Sequence, residues 1–366
     1  MVFKHIRSVN MGNNINNKKS KDSNISKGSN LIDIYSNEKY RNFVQKMYDS
    51  GNEQMFAPVY SGIPTFWRTK SCQYFTEIDI ALAGYPVDLA SGIPGARMGP
   101  RAIRDKSSYT GGYMNHYNGI IPFDICKVAD VGDVPLKNSY SIEEIHGDTE
   151  DFFKEIWDDG AYPITAGGDH SGTYPILKAI GEDKPVGLVH FDAHCDTARA
   201  INGGKNSSGS ILYHAVEEGV LDPRRTVQIG IRGPMEPLWD FSYESGMRVL
   251  HIEEFRQMGV LKVIEEIKRV IGKGPTYITI DIDALDPAYA PATEVPTPGG
   301  LTSFEMQQII RGLQGSNLVG GDVMELSPPL DGANGVTAIT CAFMMFEILC
   351  VVADSVASKK NTDPGS

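Results

Sequence analysis

The chain has 366 residues, a formal net charge of −12 and five cysteines without paired spacing. An acidic surface excludes a phosphate-binding role on DNA or RNA, which needs clustered lysines and arginines. Scattered cysteines exclude a disulfide framework and indicate a reducing compartment, taken as the cytoplasm, and the length suits one large α/β domain or two small ones.

Residues 1–54 read as an N-terminal extension. MGNNINNKKSKDSNISKGSN (11–30) is rich in Asn, Ser and Lys and has too little apolar surface for a core, so the extension is expected to be partly disordered. LIDIYSNEKYRNFVQKMYD (31–49) is expected to form a short helix, and the first acid is Asp22, a weak transit-peptide feature that leaves organellar targeting as the alternative location. From residue 78 onward apolar, β-branched runs alternate with amphipathic ones. IDIALAGYPV (78–87), YPITAGG (162–168), VGLVHFD (186–192), TVQIGI (226–231), RVLHI (248–252), YITIDID (277–283) and NLVGGDV (317–323) read as strands. IEEIHGDTEDFFKEIW (142–157), ILYHAVEEG (211–219) and VLKVIEEIKRVIG (260–272) read as helices between them. Parallel strands need such crossovers, so one catalytic domain over 55–358 is expected, with a mostly parallel sheet and helices on both faces. VTAITCAFMMFEILCVVADSVA (336–357) is long and apolar, but Glu347 near its middle is costly in lipid, so it reads as a buried helix with no membrane role. A polar tail, 359–366, follows.

Three strand ends carry the chemistry. HFDAHCDT (190–197) places Asp192, His194 and Asp196 at two-residue intervals, which in an extended segment turns all three side chains one way. YITIDIDALDP (277–287) repeats the pattern with Asp281 and Asp283, and YPITAGGDHS (162–171) ends on Gly167, Gly168, Asp169 and His170. The ends of strands are where open α/β sheets bind ligands. Four carboxylates and two imidazoles exceed the needs of one metal ion, and so many acids together repel one another, so two divalent cations are expected. Oxygen-rich ligation with a minority of His suits Mn²⁺ rather than a thiolate zinc site. Cys195 points away from the triplet and reads as packing, His190 as a hydrogen-bonded core histidine, and the two glycines as sites of close backbone approach.

GGDH, DAHCD and DIDALDP, in this order, together with YSGIPTFWR (60–68), GARMGPRAIR (95–104) and GDVMELSPPLD (321–331), resemble the ureohydrolases: arginase, agmatinase, guanidinobutyrase and their relatives. The YSGIPTFWR stretch is closer to agmatinases and guanidino-acid hydrolases than to arginases. The resemblance implies a three-layer arginase-like α/β sandwich, a homo-oligomer (trimer or hexamer), and a binuclear Mn²⁺ centre, with Ni²⁺ in some relatives. It implies that His170, Asp192, Asp196 and Asp281 hold one metal and His194, Asp192, Asp281 and Asp283 the other. By the same pattern a water activated between the metals attacks a guanidinium carbon, Glu325 orients that guanidinium, and Asp196 passes a proton to the leaving amine. The expected reaction is hydrolysis of a guanidino C–N bond to urea and an amine, on agmatine or a guanidino acid such as 4-guanidinobutyrate. The alternatives are free guanidine or an alkylated guanidine or biguanide, and a catalytically silent structural homologue. Two departures bear on the substrate. Ser208 stands where agmatinase-like members carry a His, leaving His214 as the nearest replacement, and Glu294 adds a charge where relatives have none.

Overall fold

The computed structural model describes residues 38–110, 113–201, 204–233 and 239–362. The chain divides into two compact units, Met1–Asn42 and Phe43–Ser366. Of the first, residues 38–42 are described, at the start of the helix Glu38–Asp49; residues 1–37, and with them most of the proposed disordered stretch, lie outside the described residues. Residues 43–54, which sequence alone gives to the extension, are built into the larger unit. Phe43, Val44, Met47 and Met55 are buried, and Phe43 and Phe56 meet edge to face at 5.9 Å and both approach Tyr113.

Among the described residues the larger unit holds eight strands: β1 Ile80–Tyr85, β2 Val128–Asp133, β3 Tyr162–Gly167, β4 Val186–Phe191, β5 Leu221–Ile231, β6 Arg248–His251, β7 Thr276–Asp281 and β8 Leu318–Met324. They pair in the order β2-β1-β3-β8-β7-β4-β5-β6, and every pairing is parallel. Every residue of β1, β4, β7 and β8 is buried, so both faces of the sheet are covered, as parallel sheets require. Helices Ile142–Asp158, Thr173–Gly181 and Ile211–Glu217 pack successively on one another, and Val336–Thr362 packs on β8 and β3 together with Gly99–Ser107 and Ser303–Gly312. Sequence patterning gives seven of the eight strands. The edge strand β2 escapes it because VADVGD carries two acids and a glycine; Asp130 is buried there with the Arg104 guanidinium on both of its oxygens, at 2.8 and 3.1 Å, and the Phe66 and Gly132 amides donating to them as well.

The apolar C-terminal helix is a core element. Its Glu347 is 2 % exposed and receives Arg311 Nε at 3.0 Å and Asn115 Nδ2 at 2.6 Å. A buried carboxylate is tolerable when paired and hydrogen-bonded in this way. What the sheet order does for function is to separate the consecutive strands β3 and β4 by inserting β8 and β7 between them. That switch of direction opens a crevice at the C-terminal strand ends. The residues that follow β3, β8, β7 and β4 therefore face one another across adjoining strands.

Candidate active site

His170 follows β3 at the start of a tight turn in which Asp169 accepts from Ser171 N–H. Its position depends on a backbone squeeze: Gly168 N–H donates to Tyr85 O at 2.6 Å, and a Cβ on Gly168 would stand 1.8 Å from Val87 O. No residue with a side chain fits there. The triplet after β4 converges on His170, but not by pleating. β4 ends at Phe191, the chain bends at 193–194, and Asp196 sits at φ +53°. A left-handed backbone at a non-glycine residue is strained, and here it turns the Asp196 carboxylate back so that Oδ2 lies 3.0 Å from His170 Nδ1. Asp192 presents one oxygen to each side: Oδ2 lies 3.3 Å from His170 Nδ1 and Oδ1 lies 3.4 Å from His194 Nδ1. Asp281 Oδ2 is 3.5 Å from His170 Nδ1, and Asp283 Oδ2 is 3.0 Å from His194 Nδ1. The other oxygens of this pair are spent locally, Asp281 Oδ1 on Asp283 N–H at 2.9 Å and Asp283 Oδ1 on Ala193 N–H at 3.0 Å. All six expected ligands are thus together, in two groups that share Asp192.

The donor set suits cations. Asp192, Asp196, Asp281 and Asp283 are between 0 and 8 % exposed. Burial, and then the charge of Asp192 (for Asp281 that of Asp283 as well), push Asp281, Asp283 and Asp196 up from the ordinary carboxylate range. Burial acts the same way on Asp192, but its contacts with the His170, His190 and His194 imidazoles outweigh it and hold it well below. His194 is driven to about 12 because contacts with Asp192 and Asp283 overcome its burial. This is a centre that needs positive charge. The nitrogen geometry favours a metal over imidazolium protons at His170. Its Nε2 meets Thr279 Oγ1 at 2.8 Å, and that hydroxyl gives its one proton to Asp322 Oδ1 at 2.6 Å. Thr279 must therefore accept from Nε2–H, so that in the neutral ring Nδ1 is the lone pair, while the carboxylates around it raise the pKa of the metal-free imidazole. Three carboxylate oxygens surround Nδ1, yet none meets it in hydrogen-bond geometry although the atom is fully buried. His190 is different. Gln228 Nε2 donates to its Nδ1 at 3.2 Å and its Nε2–H donates to Asp192 Oδ2 at 2.9 Å, so both nitrogens are used as a core histidine uses them. Cys195 is buried beside Ile231 and Val249.

Glu325 comes directly after β8 at φ +65°. Its Oε1 accepts from His170 N–H at 2.7 Å and from Ser208 Oγ at 3.0 Å, while Ser91 Oγ stands 3.5 Å from both oxygens. Burial first, then Asp281 and Asp169, push Glu325 well above its usual range, and a cationic ligand would relieve that. A cavity of about 550 Å³ opens over the cluster, lined by Asp196, His194, Ser208, Glu294 and Glu325, with Ile201, Trp239 and Val295 as apolar wall. Ser208 and Glu294 therefore face it. His214 does not: it lies on the helix Ile211–Glu217 with its ring 5.2 Å from Tyr213 and 6.0 Å from Tyr174. The helix turns it away from the cavity, so it does not stand in for the absent His.

Sequence reading passed over Thr279, Asp322 and Arg232. Thr279 is two residues before Asp281 on β7, so strand alternation puts both on one side, and Asp322 is a lone acid in an apolar run. These were the available signals. Arg232 gives none in sequence, yet its guanidinium donates to the carbonyls of Gly230, Asp283 and Thr297 at 2.9, 2.7 and 2.6 Å, tying the loop that carries Asp283 and Glu294 to the end of β5.

The arginase family model matches residues 78–351. A guanidinopropionase of Pseudomonas aeruginosa is 44 % identical over 304 residues, 82 % of this chain and 95 % of the relative. A mitochondrial agmatinase of Gallus gallus is 44 % identical over 283 residues, 75 % of this chain and 81 % of the relative. Among solved structures, proclavaminate amidino hydrolase from Streptomyces clavuligerus superposes with a TM-score of 0.78 at 35 % identity, covering 82 % of this chain and all of that one. On the family match over residues 78–351 and these relatives, the chain belongs to the arginase family of hydrolases that cleave guanidino C–N bonds.

Proposed function

We propose that the protein is a binuclear-metal amidinohydrolase that releases urea from a guanidinium compound. The observation that carries this is the pair of adjoining ligand groups sharing Asp192, with Glu325 on the cavity above them. His170, Asp192, Asp196 and Asp281 would hold one metal, and Asp192, His194, Asp281 and Asp283 the other. Oxygen-rich ligation makes Mn²⁺ the first choice, with Ni²⁺ second. When bound, the pair supplies Lewis acidity that makes water a nucleophile near neutral pH. Everything else falls to the protein. Glu325, held by the His170 amide and the Ser208 hydroxyl, docks the planar guanidinium and fixes which face of its carbon is open to attack. Asp196, on the cavity wall and strained toward the cluster, is the group placed to hand a proton to the departing amine. The apolar side made by Ile201, Trp239 and Val295 shelters the substrate from water.

Agmatine or a guanidino acid such as 4-guanidinobutyrate is the substrate range the named relatives suggest. We also propose a cytoplasmic homo-oligomer, trimer or hexamer, without nucleic-acid or membrane partners, in which one catalytic domain follows the N-terminal extension. The test is urea release across a panel of guanidino compounds, with Mn²⁺ and Ni²⁺ supplied separately and metal counted per chain. Two metals and urea from at least one compound are expected. One metal or none, with no urea from any compound, sinks the reading.

A further inference from the structure

Among the described residues, the cavity is lined by several acids and by no lysine or arginine. Glu294 sits on the loop after β7, and its Oε2 accepts from Ile93 N–H at 3.2 Å. Its Oε1 is buried and has no hydrogen-bond partner. A carboxylate oxygen withdrawn from water without a donor is costly, so the site is incomplete until a ligand brings one. Ser91 adjoins both carboxylates, its Oγ 3.5 Å from both Glu325 oxygens, and the two acids are near enough for Glu294 to raise the pKa of Glu325. Three arginines near the cavity are engaged elsewhere: Arg232 on backbone carbonyls, Arg97 on Asp88 and Arg199 over the Tyr213 ring.

A substrate carboxylate on the tail side of the cavity, away from the metal ligands, meets Glu294 and, among the described lining residues, no lysine or arginine to pair with. A guanidinium has N–H donors on more than one edge, so Glu325 and Glu294 can each take one, and an ammonium tail likewise finds a carboxylate. We propose that Glu294 sets specificity by charge: its Oε1 accepts from an N–H of a guanidinium substrate with an uncharged or cationic tail, and it repels guanidino acids. This rests on the amidinohydrolase reading and narrows it, against the name of the guanidinopropionase that the chain resembles.

The experiment is urea release by full-length, metal-loaded protein from guanidinium chloride, methylguanidine, agmatine, 3-guanidinopropionate and 4-guanidinobutyrate, for wild type, Glu294→Gln and Glu294→Asp. One like charge at contact range in a half-buried site is worth about 10²-fold. The two acids should therefore fall about 10² below the best carboxylate-free compound in kcat/KM. Glu294→Gln should raise the acids about tenfold while lowering the others, and Glu294→Asp should keep the wild-type preference. A variant that merely loosens the loop lowers all compounds together and cannot invert a preference. Wild type preferring a guanidino acid, or Glu294→Gln lowering all compounds in proportion, overturns the role of Glu294 and leaves the hydrolase standing. Urea from none of the panel, with metal bound, overturns the hydrolase reading and this inference with it.

Discussion

Thr279→Val tests whether the buried chain behind His170 sets the metal site. Valine keeps the shape of threonine and removes the hydroxyl, cutting two contacts at once: His170 Nε2–H to Oγ1 at 2.8 Å, and Oγ1–H to Asp322 Oδ1 at 2.6 Å. His170, Thr279 and Asp322 are all fully buried, so water does not replace what is lost. With Nε2 no longer committed as the donor, the ring is free to rotate or to carry its proton on Nδ1, the nitrogen that faces Asp192, Asp196 and Asp281. Removing a partner that orients a metal-binding His costs about 10–100-fold in metal affinity, which is about 1.4–2.8 kcal/mol. The stranded Asp322 oxygen adds about 1–3 kcal/mol of lost stability, softened because Thr173 Oγ1 still donates to Oδ2 at 2.9 Å. Metal content per chain after dialysis against graded Mn²⁺ buffers reads the affinity directly. One ion, the one served by His170, should be lost about 10–100-fold more readily while the other is retained. Activity should recover in excess metal. Thr279→Ser keeps the hydroxyl and should behave as wild type. If Thr279→Val holds both ions as tightly as wild type, the chain from Asp322 to His170 does not orient the ligand. If Thr279→Ser fails equally, the effect is packing and not the hydrogen bond.

Much of this site was legible because its ligands are local in sequence. His170, the 192–196 triplet and the 281/283 pair each stand at the end of an apolar strand, and the rule that ligands gather at such ends needs no knowledge of strand order. The order itself was not legible. Nothing in residues 277–323 states that β7 and β8 insert between β3 and β4, and that insertion is what brings Glu325 beside His170. The triplet shows how a correct inference can rest on the wrong geometry: the side chains converge through a bend and a left-handed Asp196, not through strand alternation. Long-range partners are the other blind spot. Arg104 pairs with the buried Asp130 of β2 and Arg232 fixes the Asp283 loop, but each acts on residues between about 26 and 65 positions away, and no local pattern announces either.

Replacing Asp283 by Ala removes the oxygen 3.0 Å from His194 Nδ1; metal content should fall from two ions to one, with activity down at least ~10²-fold, and retention of both ions by mass spectrometry would refute the assignment. Ser208→Ala deletes the 3.0 Å hydrogen bond to Glu325, a bond to a charged group worth about 1.5–3 kcal/mol; the loss should appear as a KM rise of about tenfold or more, and an unchanged KM would mean Glu325 does not need it. The last prediction concerns acid stability. His146 is 7 % exposed, its Nε2 meets Ser171 Oγ at 3.2 Å and its Nδ1 has no partner. Burial lowers its pKa from 6.5 to about 4, with nearby Lys178 adding to the shift and Glu143 opposing it. Between those values the unfolded chain takes up a proton that the folded chain refuses. The stabilisation from keeping His146 neutral is therefore complete above pH 6.5, falls as pH drops, and is gone below about pH 4. Each unit is about 1.4 kcal/mol, so by pH ~4.5 the loss from this residue reaches about 2–3 kcal/mol. Urea unfolding of wild type and His146→Gln at pH ~7 and ~4.5 measures it. The variant starts less stable but should lose about 2–3 kcal/mol less on acidification, and parallel losses would show that His146 is protonated in the fold at no cost.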